Sequence, residues 1–134
     1  MATKIFVNLP VKNLDKSKEF FAKLGYSFNK QFTDKNAACM VISDDIYAML
    51  LEKPFFETFT EKSVADSAKV TEVLIGLSAD SKKQVDTLLK NALAAGAKVS
   101  REPQDLGFMY SRSFEDLDGH IWEMIWMDES KIKN

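Results

Sequence analysis

Glu123 is the residue in this 134-residue chain best suited to chemistry. It stands between Trp122 and Met124 in the run SFEDLDGHIWEMIWMD (113–128), whose strand-like part is otherwise apolar. A carboxylate in such a place must be paired, hydrogen-bonded, protonated or metal-bound. It could therefore ligate a divalent cation, shuttle a proton, orient a ligand or close an ion pair. The rest of the chain narrows these choices. His120 is the single histidine, which excludes an HExxH zinc site and a 2-His-1-carboxylate iron triad. Cys39 is the single cysteine. It lies in the apolar run AACMVIS and reads as a small buried hydrophobe rather than a nucleophile. It also excludes an intrachain disulfide framework and fits a reducing, cytoplasmic setting.

The elements that must position Glu123 follow from periodicity. KIFVNLPV alternates as a strand, with Ile5, Val7, Leu9 and Val11 on one face and Phe6, Asn8 and Pro10 on the other. NLDKSKEFFAKLG reads as a helix capped by Asn13 or Asp15, with the apolar stripe Leu14, Phe20, Phe21 and Leu24, stopped by Gly25. Three short strands follow in YSFNKQF, AACMVIS and IYAMLLE. The same order then recurs. TEVLIGLSA alternates, with Glu72, Leu74, Gly76 and Ser78 on one face; SKKQVDTLLKNALAAG is a helix; AKVSREP, FMYSRSFE and HIWEMIWM are strands. The expected fold is α+β: a βαβββ module over 1–53, a linker over 54–69, and a second βαβββ module with a C-terminal tail over 70–134. In the linker Pro54 ends the preceding strand. Phe55, Phe56 and Phe59 form either a short turn packed on the core or an aromatic flap over a pocket.

Alternation gathers the unusual residues. Asn8, Glu72 and Glu123 each fall on the strand face opposite the aliphatic one, and Arg112, which shares parity with Tyr110 and Phe114, is the expected partner for Glu123. The same pair also fits a purely structural salt bridge, or Glu123 could face solvent at a sheet edge.

Hydrophobic content of 46% and charged content of 28% are ordinary for a water-soluble domain. The net charge of −2 gives no footprint for nucleic acid or an anionic membrane, and no apolar run reaches the length of a bilayer span. The N-terminal MATKIFVNLP enters a strand pattern without the layout of a secretory signal.

These residues carry a resemblance. Val11, Asn13, Leu14, Ser17, Phe20, Phe21, Leu24 and Gly25 early in the chain, and Asp116, Leu117, Asp118, Gly119 and Glu123 late, are similar to the motifs of the vicinal oxygen chelate superfamily. That group holds glyoxalase I, bleomycin- and fosfomycin-resistance proteins and extradiol dioxygenases. The resemblance covers essentially the whole chain. It implies two βαβββ modules forming a cupped, incomplete barrel (a glyoxalase-like fold), and a homodimer. Metal-dependent members hold a divalent ion through His, Glu or Gln. Carried over one at a time, the first ligand position falls on Phe6 and the second near Leu74, with Glu72 on the same face. The third falls near Met49 or Leu50, unless Glu52 substitutes. Only the last position matches, at Glu123.

Three functions are thus open. One is a glyoxalase-type lyase or isomerase using Glu123 with Zn, Ni, Mn or Mg, for which Asn8, Glu72 and Glu123 would form a shifted ligand set. A second, which the ligand count favours, is a binding protein with no cofactor. It would take a small apolar or aromatic ligand against Phe6, Phe55, Phe56, Phe59, Tyr110 and Phe114, oriented by Asn8, Glu72, Arg112 and Glu123. A third is a non-catalytic interaction domain.

Overall fold

The computed structural model describes residues 2–132, so Met1 of the first expected module and residues 133–134 of the expected tail lie outside it. The chain divides into two compact units, 1–65 and 66–134.

In the first unit, β1 (Ile5–Val11) leads into α1 (Leu14–Lys23), followed by β2 (Ser27–Asn29), β3 (Ala37–Val41) and β4 (Ile46–Glu52). The sheet order is β1-β4-β3-β2, with β1 parallel to β4 and the other pairs antiparallel. Asn13 caps α1, its side chain accepting from the Lys16 N–H at 3.1 Å. The helix packs on β3 and β4 and buries Leu14, Phe20 and Phe21. These meet the aliphatic face of the sheet, where Leu9, Ala38, Met40, Ala48 and Leu50 are all buried. Full burial of one phenylalanine here stabilises the unit by about 2–3 kcal/mol. The expected strand over YSFNKQF is shorter than its pattern. Asn29 ends it by accepting the Gln31 N–H at 2.9 Å, which turns the chain into one 3₁₀ turn over Lys30–Phe32.

After β4, Pro54 opens a five-residue helix, α2 (Lys53–Glu57), which lies against β1 and β4. Phe55 and Phe56 are half-buried, whereas Phe59 is 66% exposed and meets Phe55 edge-on at 5.1 Å.

The second unit repeats the order: β5 (Leu74–Ser78), α3 (Lys82–Ala94), β6 (Lys98–Asp105), β7 (Met109–Glu115) and β8 (Ile121–Met127). The sheet order is β5-β8-β7-β6, again with one parallel pair, β5 with β8. Ser81 caps α3 by accepting from the Gln84 N–H, and Gln84 Oε1 in turn accepts from the Asp80 N–H, just ahead of the cap. Val85, Leu89 and Ala92 on the helix and Phe114, Trp122 and Met124 on the sheet are buried to form the core. β6 runs past its expected end, through Pro103. It can do so because it is an edge strand with register shifts between Val99 and Arg101 and between Arg101 and Gln104. Both sheets are therefore open, four-stranded and mixed, each with a helix on one face. No helix among the described residues is long and apolar enough to cross a membrane.

Candidate functional site

Directly paired residues in a sheet share a face, so register decides what Glu123 can touch. Its partners are Gly76 on β5 and Ser113 on β7, and Ser113 in turn pairs with Arg101 on β6. The row Arg101–Ser113–Glu123–Gly76 thus crosses all four strands on the face away from α3. Arg101 and Glu123 lie two strands apart, about 9–10 Å in backbone terms. Their long side chains close that gap: the Arg101 guanidinium comes to 3.4 Å from Glu123 Oε1. The pair arches over Ser113, which is short enough to fit beneath it. The Arg101 side chain is 50% exposed and that of Glu123 17%. Arg101 also donates to Gln104 Oε1, on the same edge strand, at 3.2 Å.

Beneath the pair, Ser113 is 1% exposed, and its hydroxyl is the one buried side-chain N or O atom without a hydrogen-bond partner among the described residues. An orphaned buried hydroxyl costs about 1–3 kcal/mol. Around this polar centre the same face carries aliphatic side chains: Leu74 pairs with Ile121, and Ile125 stands opposite Ser78. Ile125 packs closely over Gly76: an added Cβ there would come to 3.2 Å from Ile125 Cδ1.

The expected partner of Glu123, Arg112, is on the wrong face. Arg112 pairs with Met124, which is buried with Trp122 on the core side of β8. Its guanidinium lies 3.4 Å from Asp86 on α3, and the Tyr110 hydroxyl donates to the same carboxylate at 2.5 Å. That bond is the largest cause lifting the Tyr110 phenol above its usual pKa, because ionising it beside a carboxylate is unfavourable. Phe114 is buried in the core. Tyr110, Arg112 and Phe114 therefore cannot share a face with Glu123, contrary to their expected place in one lining.

Glu72 is also displaced. β5 begins at Leu74, and Glu72 sits exposed in a bend two residues earlier, not on the strand face. Glu52 is engaged elsewhere: its Oε1 accepts the Leu14 N–H at 3.0 Å and so supports the start of α1. Phe6 and Asn8 do share a face of the first unit's sheet, as alternation predicts. Phe6 is 51% exposed and stacks on Tyr47 at 5.0 Å, while the Asn8 amide donates to the Phe6 carbonyl at 3.3 Å.

Asp116, read from sequence only as part of a motif, holds the β7–β8 turn together. Its Oδ1 accepts the N–H groups of Asp118 (2.9 Å) and His120 (3.0 Å), and its Oδ2 accepts the buried Trp122 indole N–H at 3.0 Å. Burial raises its pKa above the ordinary carboxylate range, against the pull of His120 and these donors.

The superfamily's implied divalent ion does not fit these residues. Phe6 and Leu74 cannot ligate, the Glu123 row offers a guanidinium, a hydroxyl and a glycine, and no three His, Cys, Asp or Glu gather into a metal-holding group among the described residues.

The chain's similarities agree with this architecture. Residues 3–43 match the family model described as bleomycin resistance protein-like N-terminal. A hypothetical protein from S. aureus is 30% identical, with a TM-score of 0.79 over 94% of this chain and 95% of that one. A glyoxalase/bleomycin resistance protein/dioxygenase family enzyme from Burkholderia phytofirmans has the same fold at 17% identity (TM-score 0.77, 94% of this chain, 99% of that one). So has a fosfomycin resistance protein from Listeria monocytogenes, at 19% identity (TM-score 0.68, 100% and 95%). No curated protein sequence matches significantly. With its paired βαβββ units and these likenesses, the chain belongs to the vicinal oxygen chelate superfamily, the group of glyoxalase, bleomycin-resistance and dioxygenase proteins.

Proposed function

We propose that the chain is a metal-independent binding protein of the bleomycin-resistance type, a cytoplasmic homodimer that takes a small apolar or aromatic ligand. One observation carries this reading: the Glu123 carboxylate, at the position where metal-dependent relatives place a ligand, faces the Arg101 guanidinium at 3.4 Å. A cation fixed beside the carboxylate opposes a divalent ion there by like-charge repulsion and supplies the neutralising charge itself. The apolar neighbours Leu74, Ile121 and Ile125 suit the body of an organic ligand, and the polar row suits its orientation.

Thermal unfolding with added Zn²⁺, Ni²⁺ or Mn²⁺ tests this. An ion bound to the native state at a hundred times its Kd would add about 2.7 kcal/mol, several degrees in Tm. The expected result is no rise in Tm. A rise that Glu123→Gln abolishes would support instead the glyoxalase-type lyase or isomerase.

A further inference from the structure

Resting on that metal-independent reading, we infer that the Arg101–Ser113–Glu123 row recognises an uncharged head group carrying adjacent hydrogen-bond donor and acceptor atoms, such as a primary amide, on a ligand whose body lies along Leu74, Ile121 and Ile125.

The charge of the row sets the class. Arg101 and Glu123 together are neutral and sit 3.4 Å apart. An anionic head would gain the guanidinium but meet the carboxylate at close range; a cationic head would gain the carboxylate but meet the guanidinium. Either ion leaves one member of the pair without its counter-charge, at a cost an uncharged group does not incur. An amide carbonyl can accept from Arg101 while its N–H donates to Glu123, so each retains a partner.

The pair has capacity for this exchange. Its 3.4 Å separation exceeds the roughly 2.7–2.9 Å of a charge-assisted hydrogen bond. The guanidinium is its only partner for the Glu123 side chain among the described residues, so one carboxylate oxygen is open. Ser113 adds the second and independent sign. Its hydroxyl is fully buried, unpartnered and placed by register between the two charged residues. A hydroxyl kept there at a cost to stability is explained if a ligand atom completes it. On the other flank of Glu123, Leu74 and Gly76 are exposed, so the head group can approach from the β5 side.

The test uses one ring with three heads: benzamide, benzoate and benzamidine, titrated into the full chain with chelator present. Benzamide should bind at least about tenfold more tightly than either ion. Glu123→Gln leaves the row cationic and should move the preference to benzoate; Arg101→Gln leaves it anionic and should move it to benzamidine. Ser113→Ala keeps the charges and should weaken benzamide while raising stability, which separates lost binding from lost folding. Preference of the native chain for either ion, binding of none of the three, or a ranking unchanged in both charge variants would overturn the inference. Benzamide binding that appears only when chelator is omitted would overturn the metal-independent reading instead.

Discussion

Asp116→Ala is expected to destabilise the second unit by about 3 kcal/mol. The Asp116 carboxylate accepts three N–H groups, two from the turn backbone and one from the Trp122 indole. Removing it takes away the acceptor that lies 3.0 Å from the indole N–H, in a core where Trp122 is 2% exposed. Losing a charged acceptor in such a place costs about 1–3 kcal/mol, and the freed turn adds to this. Asp128→Ala is the matched control. Asp128 also accepts two bonds, from the Ser130 N–H and hydroxyl, but it is half-exposed and outside the core, so water replaces it at a cost of about 0.5–1 kcal/mol. Urea unfolding followed by tryptophan fluorescence measures both. Equal losses in the two variants would show that Asp116 does not hold the turn through buried donors.

Gly119→Ala should cost a similar amount, about 2–4 kcal/mol, for a different reason. Gly119 has φ +88°, a region that an L side chain rarely adopts. An added Cβ would also lie 2.5 Å from the Ser67 carbonyl oxygen and 2.9 Å from Ala68 Cα. These are backbone atoms, fixed in place because the Ser67 hydroxyl donates to the Asp118 carbonyl at 2.6 Å, so they cannot swing aside. Adding Ser67→Ala, which cuts that tether, should recover part of the loss by letting the segment shift. If Gly119→Ala unfolds at the native urea midpoint, the close approach of the 66–68 segment to the turn is wrong.

Both substitutions act on the DLDG turn, and this alters what that motif means in this chain. Its residues build and brace a hairpin. The order of elements was legible because the signals for it are local. Asn13 and Ser81 announce helix starts, and the apolar stripes of α1 and α3 repeat at helical spacing. The parity of each strand was legible for the same reason: Leu9 and Val11 are buried and Phe6 is not. Alternation says which residues of one strand share a face, however, and not which face of the next strand they join. That depends on register, a non-local property. Pairing of Ser113 with Glu123 sends Arg112 to the core side, and the shifts in β6 bring Arg101, hidden in VSREPQD, to the carboxylate. No local signal marks a bulge next to Pro103 strongly enough to predict this. Glu72 failed similarly: the alternation of TEVLIGLSA begins three residues before the part that finds a pairing partner on β8.

The central claim is that Arg101, not a metal ion, neutralises Glu123. Elemental analysis of the chain, purified without affinity tag or chelator, tests it most directly. The account predicts Zn, Ni, Mn, Mg and Fe all well below one equivalent per chain, unchanged in Glu123→Gln. Any one of them at a full equivalent in the native chain, lost in Glu123→Gln, would contradict it.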